Sequence, residues 1–279
     1  MAIDFPIDFA KMSGTGNDFV IVDNRKLLVA QQEQGSLAQR VCRRKFSVGA
    51  DGMIFIEESQ VADFKWNFYN ADGSVAEMCG NGARCAARFA YQNNIAGTSM
   101  QLETIAGLIG AEICAEDDLV KVAMTEPFDF RLALSLHLND KEFPVTFVNT
   151  GVPHAVIFVE EDDIPVKKWG RKVRFHEMFE PEGTNVNFVK LLPDGSLQVR
   201  TYERGVEDET MACGTGAVAA ALYGALLKGL QSPVKVVTSG GDSLTILFDL
   251  EDGPVVKNVY LQGPARLIYT GSLTAEALL

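Results

Sequence analysis

The sequence predicts an α+β fold of two pseudo-symmetric lobes, each a mixed or antiparallel sheet wrapped around a central Ala-rich helix. Three observations carry this expectation. Short runs rich in Val, Ile and Phe recur along the chain, bounded by Gly, Asn, Asp or Pro, as strands are. Few segments have a helical pattern. Two segments, beginning at Cys79 and Cys213, are near copies of one another, each opening C-G-x-G-A and continuing into an Ala-rich stretch that favours helix.

Taken in order, the expected strands are Asp18–Val22, Met53–Ile56, Phe64–Tyr69, Leu119–Met124, Phe147–Val148 with Ala155–Val159, Val186–Leu191, Val234–Val237 and Val259–Leu261. A helix is expected over Ser36–Arg44, with Ser36 as N-cap and Leu37 and Val41 on one face. A second is expected within Val166–Met178, although Gly170 interrupts it. The repeated segments match at Cys, Gly, Gly, Ala, Ala and Ala over Cys79–Ala87 against Cys213–Ala221. The second copy reads as helix from Ala217 to Lys228, where Gly229 offers a stop. Met211–Leu227 carries no charge but falls short of the ~20 strongly apolar residues of a membrane span. Small residues on all sides point instead to a helix enclosed by strands.

The duplication divides the chain into an N-terminal lobe, 1–127, and a C-terminal lobe, 128–267, with Pro127 marking the change. The last residues, 268–279, are too few for a unit of their own and are expected to complete the first lobe.

The 279 residues are 47% apolar, enough to bury a core without staples. Lys plus Arg is 25 and Asp plus Glu 37, a net charge of −12, which argues against a nucleic-acid or anionic-membrane surface. Five cysteines, an odd number, exclude a complete intramolecular disulfide framework. The acidic start Met1-Ala2-Ile3-Asp4 lacks the basic region of a signal peptide. A reduced, cytoplasmic protein is expected.

A cysteine just ahead of a helix sits where unpaired N–H groups and the macrodipole favour an anion. Such a position can lower a thiol pKa from about 8.5 into a range of roughly 3.5–7.5. The glycines that follow leave N–H groups free to bind a carboxylate or phosphate. A single element of this kind reads more readily as a buried small thiol at a tight strand-to-helix turn. Two copies suggest more: two thiols, Cys79 and Cys213, presented to one ligand from two helix N-termini. The chemistry that suits them is two-base proton transfer, one thiolate removing Hα and the opposed thiol returning a proton. No metal site is expected, since Cys79 and Cys85 have the wrong spacing for zinc and no H-E-x-x-H is present.

The chain resembles the diaminopimelate epimerase family. The resemblance rests on Lys11–Phe19 (K-M-S-G-T-G-N-D-F), Gly49–Gly52 (G-A-D-G), Phe68–Ser74 (F-Y-N-A-D-G-S), Met78–Cys85 (M-C-G-N-G-A-R-C), Gly151–Val156 (G-V-P-H-A-V), Gly183–Phe188 (G-T-N-V-N-F), Tyr202–Gly205 (Y-E-R-G) and Glu209–Gly216 (E-T-M-A-C-G-T-G). It implies an isomerase of lysine and peptidoglycan precursor synthesis that uses no cofactor, acts on a small amino-acid substrate between its lobes, and forms a homodimer. It further implies that Cys79 and Cys213 are the acid–base thiols, and that Gly80, Asn81, Gly214 and Thr215 hold the reacting carboxylate. Glu203 would receive the α-amino group, and His154 would set the local protonation. Asn17, Asn70, Asn185 and Arg204 would read the distal end of the substrate, where amides and a guanidinium suit an ammonium and a carboxylate.

Apart from the resemblance, each of these residues has a plain structural reading. Asn70 suits a turn cap and Asn17 a tight turn, Asn185 lies near Gly183, and Glu203 with Arg204 suits a surface pair. Two positions depart from the family pattern: Val152 stands where Asn is frequent, and Gly52 where some members carry Gln. Cys42, Cys85 and Cys114 read as packing residues. The alternatives are a proline, hydroxyproline or histidine racemase on the same fold and, from another class, a thiol redox protein.

Overall fold

A computed structural model describes residues 3–76, 78–114, 119–138, 141–251 and 253–279; Met1 and Ala2 of the acidic start lie outside them. The chain forms two compact units, Met1–Val122 with Gly263–Leu279, and Ala123–Gln262. These divisions fall at 122/123 and 262/263, where the sequence suggested 127/128 and 267/268.

The first stretch supplies β1 (Ile7–Gly14), β2 (Asn17–Asp23), α1 (Gln31–Val41), β3 (Gly52–Glu57), β4 (Phe64–Asn70), α2 (Gly80–Gln92), β5 (Ser99–Thr104), β6 (Gly107–Cys114) and β7 (Leu119–Ala123). The second unit follows with β8 (Phe128–Leu138), β9 (Lys141–Asn149), β10 (Pro153–Phe158), α3 (Val166–Arg174), β11 (Asn185–Leu191), β12 (Leu197–Glu203), β13 (Asp208–Thr210), α4 (Gly214–Lys228), β14 (Val234–Thr238), β15 (Ser243–Leu250) and β16 (Val256–Pro264). The last strand, β17 (Arg266–Leu273), returns to pair with β1 in the first unit.

Within the first unit the strands run β17-β1-β2-β3-β4-β5-β6-β7. Within the second they run β8-β9-β10-β11-β12-β14-β15-β16. In both, the third and fourth strands pair in parallel, as do the fifth and sixth, and the other neighbours pair antiparallel. Each parallel pair needs a crossover, and a helix supplies it every time: α1 and α2 in one unit, α3 and α4 in the other. The duplication visible around two cysteines therefore extends through a whole topology.

The second helix of each unit is the central one. α2 touches β1, β2, β3 and β6, strands far apart in their sheet, so the sheet curves around it. α4 touches β9, β10, β11, β12, β14 and β15 in the same way. Gly216 through Ala225 are buried, which only small side chains allow when strands approach from several sides. α4 ends as its sequence suggests, with Gly229 in the left-handed region at φ 72° and Leu230 N–H donating to Gly224 O. Among the described residues no helix is long and apolar enough to cross a membrane.

α1 and α3 cover the outer faces. Leu37, Ala38 and Val41 of α1 pack on Val20, Val22, Met53 and Phe55. Strands sandwiched between two helices lose the alternation of a half-exposed strand, which is why β3 reads as an unbroken apolar run.

The bounds of three helices differ from expectation. α4 already begins at Gly214 rather than Ala217, because its N-cap is Cys213 and the residues of the motif form its first turn, and α1 ends at Val41 rather than Arg44. α1 begins five residues before Ser36, at Gln31, and Ala30 caps it without a side-chain bond. Gln31-Gln32-Glu33-Gln34 are good helix formers, and buried Gln34 hydrogen-bonds Glu57 at 2.6 Å, so the helix starts where packing begins. α3 stops at Arg174, and a separate 3-10 turn covers Glu177–Phe179. Gly170 does not break it, because glycine is what the packing there demands. A Cβ on Gly170 would fall 2.4 Å from Cβ of buried Tyr202.

Gly170→Ala should therefore destabilise the chain by about 1–3 kcal/mol, as overpacking does. Gly97→Ala, whose Cβ would meet only Ser99 O at 4.0 Å, should stay within about 0.5 kcal/mol of the parent. Chemical denaturation midpoints check the pair, and equal midpoints would contradict the packing account.

Candidate active site

In the first unit, Cys79 is the N-cap of α2, with extended backbone at φ −150° and ψ 113°. Its sulfur accepts from Gly82 N–H at 3.5 Å, so the thiol occupies the place of an ordinary capping oxygen. Beside it, Asn81 Nδ2 donates to Asn17 Oδ1 at 2.7 Å, and Asn17 Nδ2 donates to Asp51 Oδ2 at 3.1 Å. Arg84, fully buried one turn into α2, donates to Asn81 Oδ1 at 2.9 Å and to Thr15 Oγ1 at 2.6 Å.

Thr15 and Gly16 form the two-residue turn between β1 and β2, both at positive φ, as the tightest hairpins require. That turn delivers Asn17 to the helix N-terminus. Asp51 also accepts Ala71 N–H through its backbone carbonyl at 3.0 Å, which ties in the turn that follows Asn70. Asn70 itself is exposed and donates to Ser74 Oγ at 3.1 Å. Four of the five expected residues of this unit (Cys79, Gly80, Asn81, Asn17) thus gather at one helix end, and Asn70 sits on the adjoining turn.

An ion network braces the hairpin. Burial raises the carboxyl of Asp18, but Arg44 and Lys11 donate to it and bring it down to about 2. Lys11 lies 2.7 Å and Arg44 2.6 Å from its oxygens.

In the second unit, Cys213 is the N-cap of α4, again extended, at φ −128° and ψ 110°. Its sulfur lies 3.5 Å from Thr215 Oγ1, which lies 2.9 Å from Nε2 of His154. His154 is wholly buried on β10. Burial first, and the positive charge of Arg204 second, lower its imidazole pKa to about 3, so the ring is neutral at physiological pH. Thr150 Oγ1 donates to Thr215 O at 3.0 Å and fixes the first turn of the helix.

Asn185, buried on β11, accepts Arg204 N–H through Oδ1 at 2.8 Å and donates to Pro153 O at 3.2 Å. It thereby sets the turn that carries Glu203 and Arg204. Burial raises the Glu203 carboxyl above its ordinary value, with Thr210 drawing it part of the way back. The Arg204 guanidinium reaches Glu182 O at 3.2 Å. Glu203 and Arg204 are not paired with each other in the way a surface pair would be.

Arranged this way, each helix N-terminus offers a half-buried thiol and first-turn N–H groups that have no partner inside the helix. The other thiols differ. Burial pushes Cys42 and Cys85 up to about 12, which makes both inert at neutral pH, and Cys114 lies on β6.

A sequence-family model described as diaminopimelate epimerase matches residues 9–128 and 146–268.

The chain belongs to the diaminopimelate epimerase family.

The diaminopimelate epimerase of Aquifex aeolicus is 47% identical, over 98% of this chain and 99% of that one. That of Archaeoglobus fulgidus is 40% identical over 98% of each. Among solved structures, a PhzF-family phenazine biosynthesis protein of Bacillus anthracis superposes with a TM-score of 0.76 at 16% identity, covering 97% of this chain and 100% of that one. A hydroxyproline epimerase of Agrobacterium vitis gives 0.70 at 15% identity, covering 99% and 94%. At such identities these likenesses speak to the fold, an α+β architecture shared across the group.

Three residues of this diaminopimelate epimerase family member escaped the sequence reading: Asp51, Arg84 and Asn187. Asp51 and Arg84 lie inside quoted motifs but carry ordinary surface chemistry on paper. Asn187 had a usable signal, because the N-V-N spacing puts it on the same strand face as Asn185.

The depressed His154 pKa makes stability pH-dependent. The unfolded imidazole takes up a proton near pH 6.5, whereas the folded one does so only near pH 3. Its contribution is complete above pH 6.5 and is lost as pH falls toward 3, at up to ~1.4 kcal/mol per pH unit. Denaturation midpoints from pH 6.5 down to 4 should fall more steeply for the parent than for His154→Gln, by up to one proton. Parallel profiles would contradict the buried neutral ring.

Proposed function

We propose that this chain interconverts LL- and meso-2,6-diaminopimelate at one α-carbon, with Cys79 and Cys213 as paired acid–base thiols. Membership of the family supports the reaction, an isomerisation in lysine biosynthesis. The observation that carries the mechanism is the repeated one: each unit ends its central helix on an N-cap thiol, Cys79 on α2 and Cys213 on α4.

In this reading one thiolate removes Hα and the other thiol gives a proton to the opposite face, so the configuration inverts. In the reverse reaction the two exchange roles. The carbanion spreads its charge into the carboxylate, which the N–H groups of Gly80, Asn81, Gly214 and Thr215 stabilise. Donors aimed at a developing charge are worth about 10²–10³ in rate each. The buried carboxyl of Glu203 takes the α-ammonium, whose charge makes ionisation of that carboxyl favourable again. Asn17, Asn70, Asn185 and Arg204 read the distal amino-acid end. Asn17 and Asn185 each have a second amide N–H beyond the one that anchors them.

A cytoplasmic homodimer belongs to the same reading. β17 pairs with β1 and exposes Leu267, Ile268 and Tyr269, an apolar strand of the kind that a second copy covers.

Reduced protein incubated with LL-diaminopimelate in deuterated water should form meso product carrying α-deuterium. Cys79→Ala and Cys213→Ala should each lower product formation by about 10²–10⁴-fold, the usual contribution of a positioned acid or base. Wild-type rates in either variant would overturn the two-thiol mechanism. Turnover of proline, hydroxyproline or histidine in place of diaminopimelate would overturn the substrate.

A further inference from the structure

Asn187 is a buried amide beneath α4 to which the mechanism above assigns nothing. Its orientation is fixed by its neighbours. Ala155 O only accepts, so the atom 3.0 Å from it is Nδ2, and Oδ1 accepts from the Thr201 hydroxyl at 2.9 Å. The same Nδ2 lies 3.0 Å from Nδ1 of His154. Nδ1 must then present its lone pair, and a neutral ring carries its hydrogen on Nε2. Nε2 donates to Thr215 Oγ1 at 2.9 Å, and the hydroxyl hydrogen of Thr215 is left to turn toward the Cys213 sulfur at 3.5 Å.

We propose that Asn187 is a positioning residue for Cys213: it holds His154 as the Nε2–H tautomer, and the Thr215 hydroxyl is thereby directed to stabilise the Cys213 thiolate. For its catalytic consequence the proposal rests on the reading of Cys213 as an acid–base thiol.

The other copy of the fold supplies the control. Strand register aligns His154–Asn187–Thr201 of the second unit with Phe19–Ile54–Phe68 of the first. Phe19 and Phe68 pack edge to face at 5.8 Å, and Ile54 Cδ1 would lie 3.5 Å from a Cβ on Gly82. At the matching place Asn187 Oδ1 would lie 2.3 Å from a Cβ on Gly216. A central helix thus packs well on an apolar floor, so the fold itself does not call for a polar one. Burying an amide, an imidazole and the Thr201 hydroxyl costs desolvation that their hydrogen bonds merely offset. The polar floor lies under one thiol motif only, and its chain of donors ends at that thiol. Arg204 is the charged side chain that acts on His154, and it disfavours a second ring proton.

The test reads Cys213 directly. Reduced protein at pH 7 is treated with iodoacetamide, and alkylation of Cys213 and Cys79 is followed by peptide mass spectrometry. Loss of one donor lowers the thiolate fraction about tenfold, while the more basic thiolate attacks faster, so the net slowing is about three- to fourfold. Asn187→Leu and Thr215→Val should both slow Cys213 by that factor, with Cys79 within about twofold of the parent. Thr215→Ser, which keeps the hydroxyl, should restore the parent rate. In turnover, the two slowed variants should lower kcat and leave KM within about twofold. The three histidines of the chain make ¹⁵N imidazole spectra assignable, and His154 should show the Nε2–H pattern in the parent. An unchanged Cys213 rate in Thr215→Val, which leaves Asn187 and the sheet intact, would overturn the proposal, as would an Nδ1–H ring in the parent. Alkylation needs no turnover, so full activity of Cys213→Ala would remove the acid–base reading and leave the relay standing.

Discussion

Two helix N-termini, each with a cysteine at its N-cap and each belonging to a helix buried among strands, are the constraint on which the rest depends. A buried helix cannot leave its first N–H groups without partners unless something else receives them. In α2 the Cys79 sulfur takes Gly82 N–H, and the donors that remain are available to an anion. Keeping these helices central requires small residues along them, because strands crowd them from several directions. Ala217 to Ala221 in α4 and Ala83, Ala86, Ala87 and Ala90 in α2 meet that need. A run that resembles a weak membrane segment on paper is therefore the consequence of close strand packing.

Duplication gave both units one topology, yet the floors beneath the two thiol-bearing helix ends differ. Around Gly82 in the first turn of α2 lie Trp66 and Ile54, with Asn81 tied to Arg84 and Asn17. Near Cys213, the buried His154 links Asn187 to Thr215, whose hydroxyl lies 3.5 Å from the Cys213 sulfur. In the proposed reaction the two bases exchange roles, which requires each thiol to be tuned against the other. Unequal floors beneath equal helices are a physical means of doing so.

Much of this was legible in the sequence where the signal is local. The C-G-x-G-A copies marked both helix starts, Gly229 marked the stop of α4, and the apolar runs marked the central strands. What was hidden depends on partners far along the chain. Half-exposed strands such as Ser99–Thr104 alternate polar and apolar residues and carry Gln101 and Glu103, so they lack the apolar density of β3. Gly170 reads as a helix breaker until Tyr202 is placed against it. Asn187 reads as an ordinary strand residue until His154, thirty-three positions earlier, turns out to be its neighbour. The site residues divide in the same way, since the thiols announce themselves by repetition whereas Asp51 and Arg84 matter only through what they hold.

The central claim is that two different groups handle the two faces of one α-carbon. The most direct measurement follows the label during the first few per cent of turnover of protiated LL-diaminopimelate in deuterated water. Two distinct thiols predict that product molecules carry solvent deuterium at the inverted carbon while recovered substrate carries almost none, because the abstracted proton and the delivered one never share a group. Early product that retains the substrate's own proton, or substrate that gains deuterium as fast as product forms, would mean one base serving both faces and would contradict the account.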